Sequence, residues 1–147
     1  MSKAKSADLL IKLYDLRREA VMRTARNWIF TFNPTSAENI GQTMMDPEVG
    51  AYLRMVGSYW DMVASFVNHG AIDAEMFNDC NGEHILFFAK IEPFLADLRE
   101  QYESPDMYKH LEKVIMDAPN GAERLKKMQD WLASMTEEGG QADEATA

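Results

Sequence analysis

Apolar residues along this chain recur at helical spacing, and no segment shows the strict alternation of a half-buried strand. The densest case opens the stretch from Asp46 to Tyr102. Val56, Trp60, Val63 and Val67 follow one another at four-three-four spacing, with Tyr52, Met55, Tyr59, Met62 and Phe66 in a second stripe beside them. A helix apolar over so wide a face is normally enclosed by others. Asp46-Pro47-Glu48 reads as its start: the Asp side chain accepts from free N–H groups, and Pro fits where an N–H would go unused. Gly70 supplies the left-handed stop. The pattern therefore predicts a central helix over residues 47–69.

Asp73 then caps a short helix to about Asp79, and Cys80-Asn81-Gly82 marks a turn. From Glu83 onward, Phe88, Ile91, Leu95, Leu98 and Tyr102 recur in helical phase across Pro93. A proline inside a stripe that keeps its phase predicts one kinked helix, packed antiparallel to the central one.

Upstream, Leu9, Leu13, Leu16 and Ala20 form a stripe that Ala25, Trp28, Ile29 and Phe32 continue on a slightly rotated face. With Ser6 as cap and Pro34 as terminator, this predicts one long helix over residues 7–33, whose first half projects from the body or pairs with another subunit. Thr35-Ser36-Ala37-Glu38 matches a capping box and opens a short helix to Met44 or Met45. Ser104-Pro105-Asp106 and Asn120-Gly121 open the last two helices; the final one carries Leu125, Met128, Leu132 and Met135 and stops at Gly139-Gly140. The expected fold is all-α. A single-domain bundle of six or seven helices spans residues 1–136, around a central antiparallel pair, and a disordered acidic tail covers 137–147.

At 147 residues the chain can bury a core without staples, and its single cysteine excludes an internal disulfide and suits a reducing, cytoplasmic setting. The beginning of the chain has no apolar run long enough for a signal peptide or a membrane span, so no membrane association is expected. A net charge of −9 argues against general nucleic-acid binding. The charge is uneven, with a local +4 over residues 1–26 and −13 over the rest. Arg17, Arg18, Arg23 and Arg26 are accordingly candidates for contact with an anionic partner, beside the plainer reading that the basic helix lies on its own acidic body or presents a solvated face.

Residues of metal-binding type gather near the central turn: His69, Asp73, Asp79, Cys80, Glu83 and His84. They lack the paired spacings of a zinc site, and Phe77 stands where a calcium loop would need an acid, so no metal or other cofactor is expected. Cys80 with His84 has no orienting third residue, and no glycine-rich phosphate loop occurs, so no catalytic residue is assigned. Ligand candidates are polar positions at the ends of the central helices: Asn68, His69, Asp73, Lys90 and Arg99. Two readings of Lys90 and Arg99 stand side by side, internal pairing with Asp61 or Asp73, and lining of a pocket between helices.

Over roughly residues 46–103, an aromatic-rich helix ends in Gly70, Asp73 follows, and Pro93-Phe94 precede Arg99. In these positions the chain resembles an uncharacterised bacterial domain-of-unknown-function family, the 4760 group. Many members look as if a membrane helix precedes the domain, where this chain has a charged amphipathic one. The resemblance implies a helical bacterial protein and carries over no activity. The expected function is a non-enzymatic interaction module whose protein partner is unknown or a second copy of the chain, in a homodimer through the first helix. The alternative is a small-molecule-binding protein or hydrolase with its pocket near residues 68–73.

Overall fold

The computed structural model describes residues 2–146, with residues 138–146 given by their backbone alone. Nine α-helices and one 3-10 turn follow one another, with no strand among the described residues. They are α1 (Lys3–Arg17), α2 (Ala20–Thr31), α3 (Ala37–Met44), α4 (Gly50–Asn68), α5 (Ala74–Cys80), α6 (Glu83–Ile91), α7 (Leu95–Gln101), α8 (Lys109–Asp117) and α9 (Gly121–Thr146). The 3-10 turn, Glu92–Phe94, joins α6 to α7. Beyond Glu137, the tail expected over 137–147 falls on residues whose side chains lie outside the described set. The fold is a single-domain helical bundle, as the periodicity predicts, but its helices are more numerous and differently arranged.

Two breaks account for the larger count. The expected first helix divides at Arg18-Glu19, where Glu19 turns extended and its carboxylate accepts from the N–H groups of Val21 (3.1 Å) and Met22 (2.9 Å). Those bonds hold the Glu19 carboxyl below its ordinary range, and the joint absorbs the rotation between the two apolar stripes. The second break is at Pro93, which lacks the N–H an α-turn needs and tightens the chain into the 3-10 turn. Leu95 and Leu98 stay buried beyond it, so the stripe does keep its phase.

The expected central pair is also corrected. α4 packs chiefly against α2 and α8, and α6 chiefly against α9, while α4 and α6 meet over a shorter stretch. The innermost helix is α6, in which every residue from His84 to Ile91 is buried. Trp60, Phe77, Phe87 and Phe88 fill the core around it.

Several helix starts use different residues from those expected. Ser2, not Ser6, caps α1. At α3 the box slips by one residue: Ser36 accepts from Asn39 N–H at 3.0 Å, and the Asn39 side chain accepts from Thr35 N–H at 3.1 Å. Asp46 does accept from Glu48 and Val49 N–H, but it caps a turn, and α4 begins at Gly50. At α8 the cap comes from another helix: Asp61 of α4 accepts from Leu111 N–H at 3.0 Å.

α4 and α8 approach closely at Gly57. A Cβ there would lie 2.5 Å from the Tyr108 hydroxyl and 3.0 Å from Phe87 Cζ. Tyr108 is held in the left-handed region (φ 55), and its ring stands edge-on to Phe87, so neither ring has room to retreat. Gly57→Ala is expected to destabilise the fold by about 1–3 kcal/mol, the usual cost of overpacking. A thermal melt at the wild-type midpoint would reject this account of the contact.

Candidate functional site

The residues proposed from sequence as a ligand site are dispersed and mostly occupied. Asp73 caps α5 by accepting from Met76 N–H (2.9 Å), and its own N–H donates to the buried Ser6 hydroxyl (3.0 Å), which fastens α1 to α5. His69 is exposed at the end of α4, with Nδ1 2.8 Å from Ser65 O. Asn68 donates to His110 O at 3.0 Å. It lines a cleft of about 830 Å³, whose walls come from the end of α4, α5, the end of α8 and the start of α9. Lys90 lines a separate cleft of about 450 Å³ against Phe94 and Leu132. Asn68 and Lys90 therefore share no cavity.

Neither basic candidate pairs with Asp61 or Asp73. Lys90, only 6% exposed, donates to three carbonyls at the end of α2: Ile29 (2.8 Å), Phe30 (3.2 Å) and Phe32 (2.7 Å). Burial pushes its ammonium down to about 8. Arg99 donates to Met107 O through Nε (3.0 Å) and Nη2 (2.8 Å) and meets Glu112 at 3.2 Å, which pins the turn before α8. Asp61, as described above, is committed to α8. These are the bonds of a scaffold.

The metal-type residues are dispersed too. Asp73 is a cap, Glu83 holds Arg26, Cys80 is exposed, and His84 is enclosed between the rings of Trp60 (5.6 Å) and Phe77 (4.8 Å). His84 is thus a core residue. Burial, reinforced by the charges of Arg124 and Arg17, pushes it down to about 3.

The four arginines near the first helix separate into distinct roles. Arg26 makes a bidentate contact with Glu83 (2.8–3.0 Å) and donates to Arg17 O, tying α2 to α6. Arg18 and Arg23 are exposed and make no ion pair among the described residues. Arg17 is different. It is buried, its guanidinium lies over the rings of Tyr14 (5.2 Å) and Trp60 (5.1 Å), and Nη1 donates to the neutral amide oxygen of Asn81 at 2.9 Å. Its Nε is buried without a partner. A small recess of about 200 Å³ opens on this group between Leu10, Ile11, Tyr14, Cys80 and Asn81.

The surroundings of that recess are the most apolar part of α1's exterior. Ala4, Ala7, Ile11 and Tyr14 follow at three-four-three spacing on one outward stripe. Ile11 is 67% and Tyr14 55% exposed. The inward stripe is a separate set, Ser6, Leu13 and Arg17. Ile11 and Tyr14 thus lie outside the face by which α1 meets the fold, as does Leu16 on another side of the helix (57% exposed).

The family model described as Domain of unknown function (DUF4760) matches residues 3–117. The chain belongs to this family. The DUF4760 match begins with α1 and closes with α8, so it covers the recess and α1's outward stripe as well as the stretch 46–103 on which the likeness was first read. No curated protein and no solved structure matches the chain. Among the described residues of this DUF4760 chain, no helix is long and apolar enough to cross a membrane.

Two features of the DUF4760 fold escaped the sequence pattern. The enclosure of His84 depends on Phe77 and Trp60 arriving from other helices. The burial of Arg17 depends on Trp60 and Asn81, and no local signal separates Arg17 from Arg18. The stripe expected on the first helix, Leu9, Leu13, Leu16 and Ala20, is enclosed only at Leu13: Leu16 is 57% exposed and Ala20 is exposed too, because the face that meets the fold runs through Ser6, Leu13 and Arg17.

Proposed function

We propose that this protein is a non-enzymatic helical interaction module that self-associates through the outward face of α1. The reading rests on one observation above the rest: Ile11 and Tyr14 stand exposed on a three-four-three apolar stripe of a helix whose neighbouring face, at Ser6, Leu13 and Arg17, is already packed. Exposed apolar groups that line up on one helix face mark docking surfaces more often than scattered ones do. Charge supports a second copy as the partner. Lys3, Lys5, Lys12, Arg18 and Arg23 make no ion pair among the described residues, while the chain beyond residue 26 carries a local −13. An isologous dimer sets each basic, apolar α1 against the acidic body of the other copy, so that both contacts form together. The single exposed cysteine fits a reducing, cytoplasmic setting.

Sedimentation equilibrium at micromolar concentration is expected to give twice the chain mass. Ile11→Lys and Tyr14→Lys should each shift the protein to monomer without altering its helical circular dichroism. A wild type that stays monomeric to several hundred micromolar would end the self-association reading.

A further inference from the structure

Arg17 is a buried cation without a counter-charge. No carboxylate of the described residues lies within ion-pair distance of it, and of its five N–H donors only one, on Nη1, has a protein acceptor, the neutral Asn81 amide. Nε is enclosed without a partner while Nη2 keeps solvent access, so little water is left to stabilise the charge and a neutral acceptor compensates only in part. The rings of Tyr14 and Trp60, 5.2 and 5.1 Å from the guanidinium carbon, confine it where it lines the recess. A planar donor fork held in this way suits a carboxylate that enters edge-on. The recess, about 200 Å³ and open at Ile11 and Tyr14, has the size of one acidic side chain or of an equally short carboxylic acid.

We infer that Arg17 is the specificity-determining residue of the α1 face and receives a carboxylate side chain of the second copy. This deepens the self-association reading and rests on it for the source of the carboxylate, though not for the chemistry of the recess. Ile11 and Tyr14 supply the apolar rim that excludes water around the pair, and Arg17 supplies the selection for an acidic group. The missing counter-charge is thereby provided by the partner.

The experiment pairs a binding titration with a measurement of mass. Sodium butyrate is added at constant ionic strength while the side-chain N–H resonances of Arg17 and Trp60 are followed by NMR. Sodium chloride and butanol serve as controls. The expected result is a saturable millimolar shift of both resonances with butyrate alone, lost in Arg17→Met, together with a dimer at least tenfold weaker in that variant. Asn81→Asp gives an independent check, since it places a carboxylate beside Arg17 from within the chain. It should abolish the butyrate response and also weaken the dimer, even if Arg17→Met folds poorly. A response no larger than that of chloride, or one that persists in both variants, would overturn the carboxylate site. A saturable response in a protein that is monomeric throughout would overturn the second copy as its source and leave a free acid as the ligand. Micromolar butyrate affinity would overturn it in the same way.

Discussion

Replacing His84 by Phe is expected to flatten the pH dependence of stability between pH 6.5 and 4.5. In the folded protein His84 is 1% exposed, its Nδ1 has no hydrogen-bond partner, and its pKa is pushed from 6.5 to about 3. Burial is the main cause, with the charges of Arg124 and then Arg17 adding to it. The unfolded chain therefore binds a proton over this interval that the folded chain does not. Stability is full above pH 6.5 and falls as the pH drops, by about 1.4 kcal/mol per pH unit, to a total of about 4–5 kcal/mol near pH 3. Asp46 and Glu19, whose carboxyls are also held low by backbone N–H groups, add loss in the same direction, but only below their ordinary values of 3.8 and 4.5. The window above pH 4.5 thus isolates the histidine. Phe carries no proton and suits a box made by Trp60 and Phe77. Urea unfolding of wild type and His84→Phe at half-unit pH steps checks this, and equal slopes in the two proteins would refute the claim that His84 is held neutral.

The second large effect is expected at Lys90. Its ammonium gathers the last carbonyls of α2, of which Ile29 O also accepts from Phe32 N–H, and α6 carries it there from the centre of the bundle. Lys90→Met keeps the aliphatic stem and removes all three bonds. Phe30 O and Phe32 O are then left unmet, while Ile29 O keeps the Phe32 N–H; relief from burying a charge offsets part of the cost, so the net loss is expected at about 1–3 kcal/mol. The damage should be local as well as global. Amide exchange should rise first in the last turn of α2 and in the α2–α3 connection, because that is where the carbonyls lose their partner. Wild-type stability in Lys90→Met would mean that water entering from the adjoining cleft replaces the ammonium without penalty.

These two residues also show how far the sequence could be read. The spacing of Val56, Trp60, Val63 and Val67 located α4, and Asp73 and Gly70 located the turn after it, because those signals depend on neighbours within a few positions. Lys90, His84 and Arg17 are defined by groups that are distant in sequence: the carbonyls of α2, the ring of Phe77, and the amide of Asn81. Their residue types were visible, but a lysine on an apolar helix reads the same whether it reaches a carboxylate or a helix end. The joint at Arg18-Glu19 was hidden for a related reason. Both halves keep an apolar stripe, and glutamate is a less usual cap than serine or aspartate, so nothing local announced the break.

That joint has a consequence for how the molecule opens. α1 is fastened largely by polar latches: the Ser6 hydroxyl to Asp73, the Tyr59 hydroxyl to Leu13 O (2.6 Å), and Arg17 to Asn81. Leu13 is its one fully enclosed apolar side chain. A segment held in this way, beyond a break in the backbone, forms a cooperative unit that unlatches at a lower free energy than the core behind it. In deuterium exchange α1 should therefore be the quickest of the first eight helices in the isolated chain, and the one whose protection rises most steeply with protein concentration. The helix that holds the rest of the bundle least firmly would then serve as the gauge of assembly.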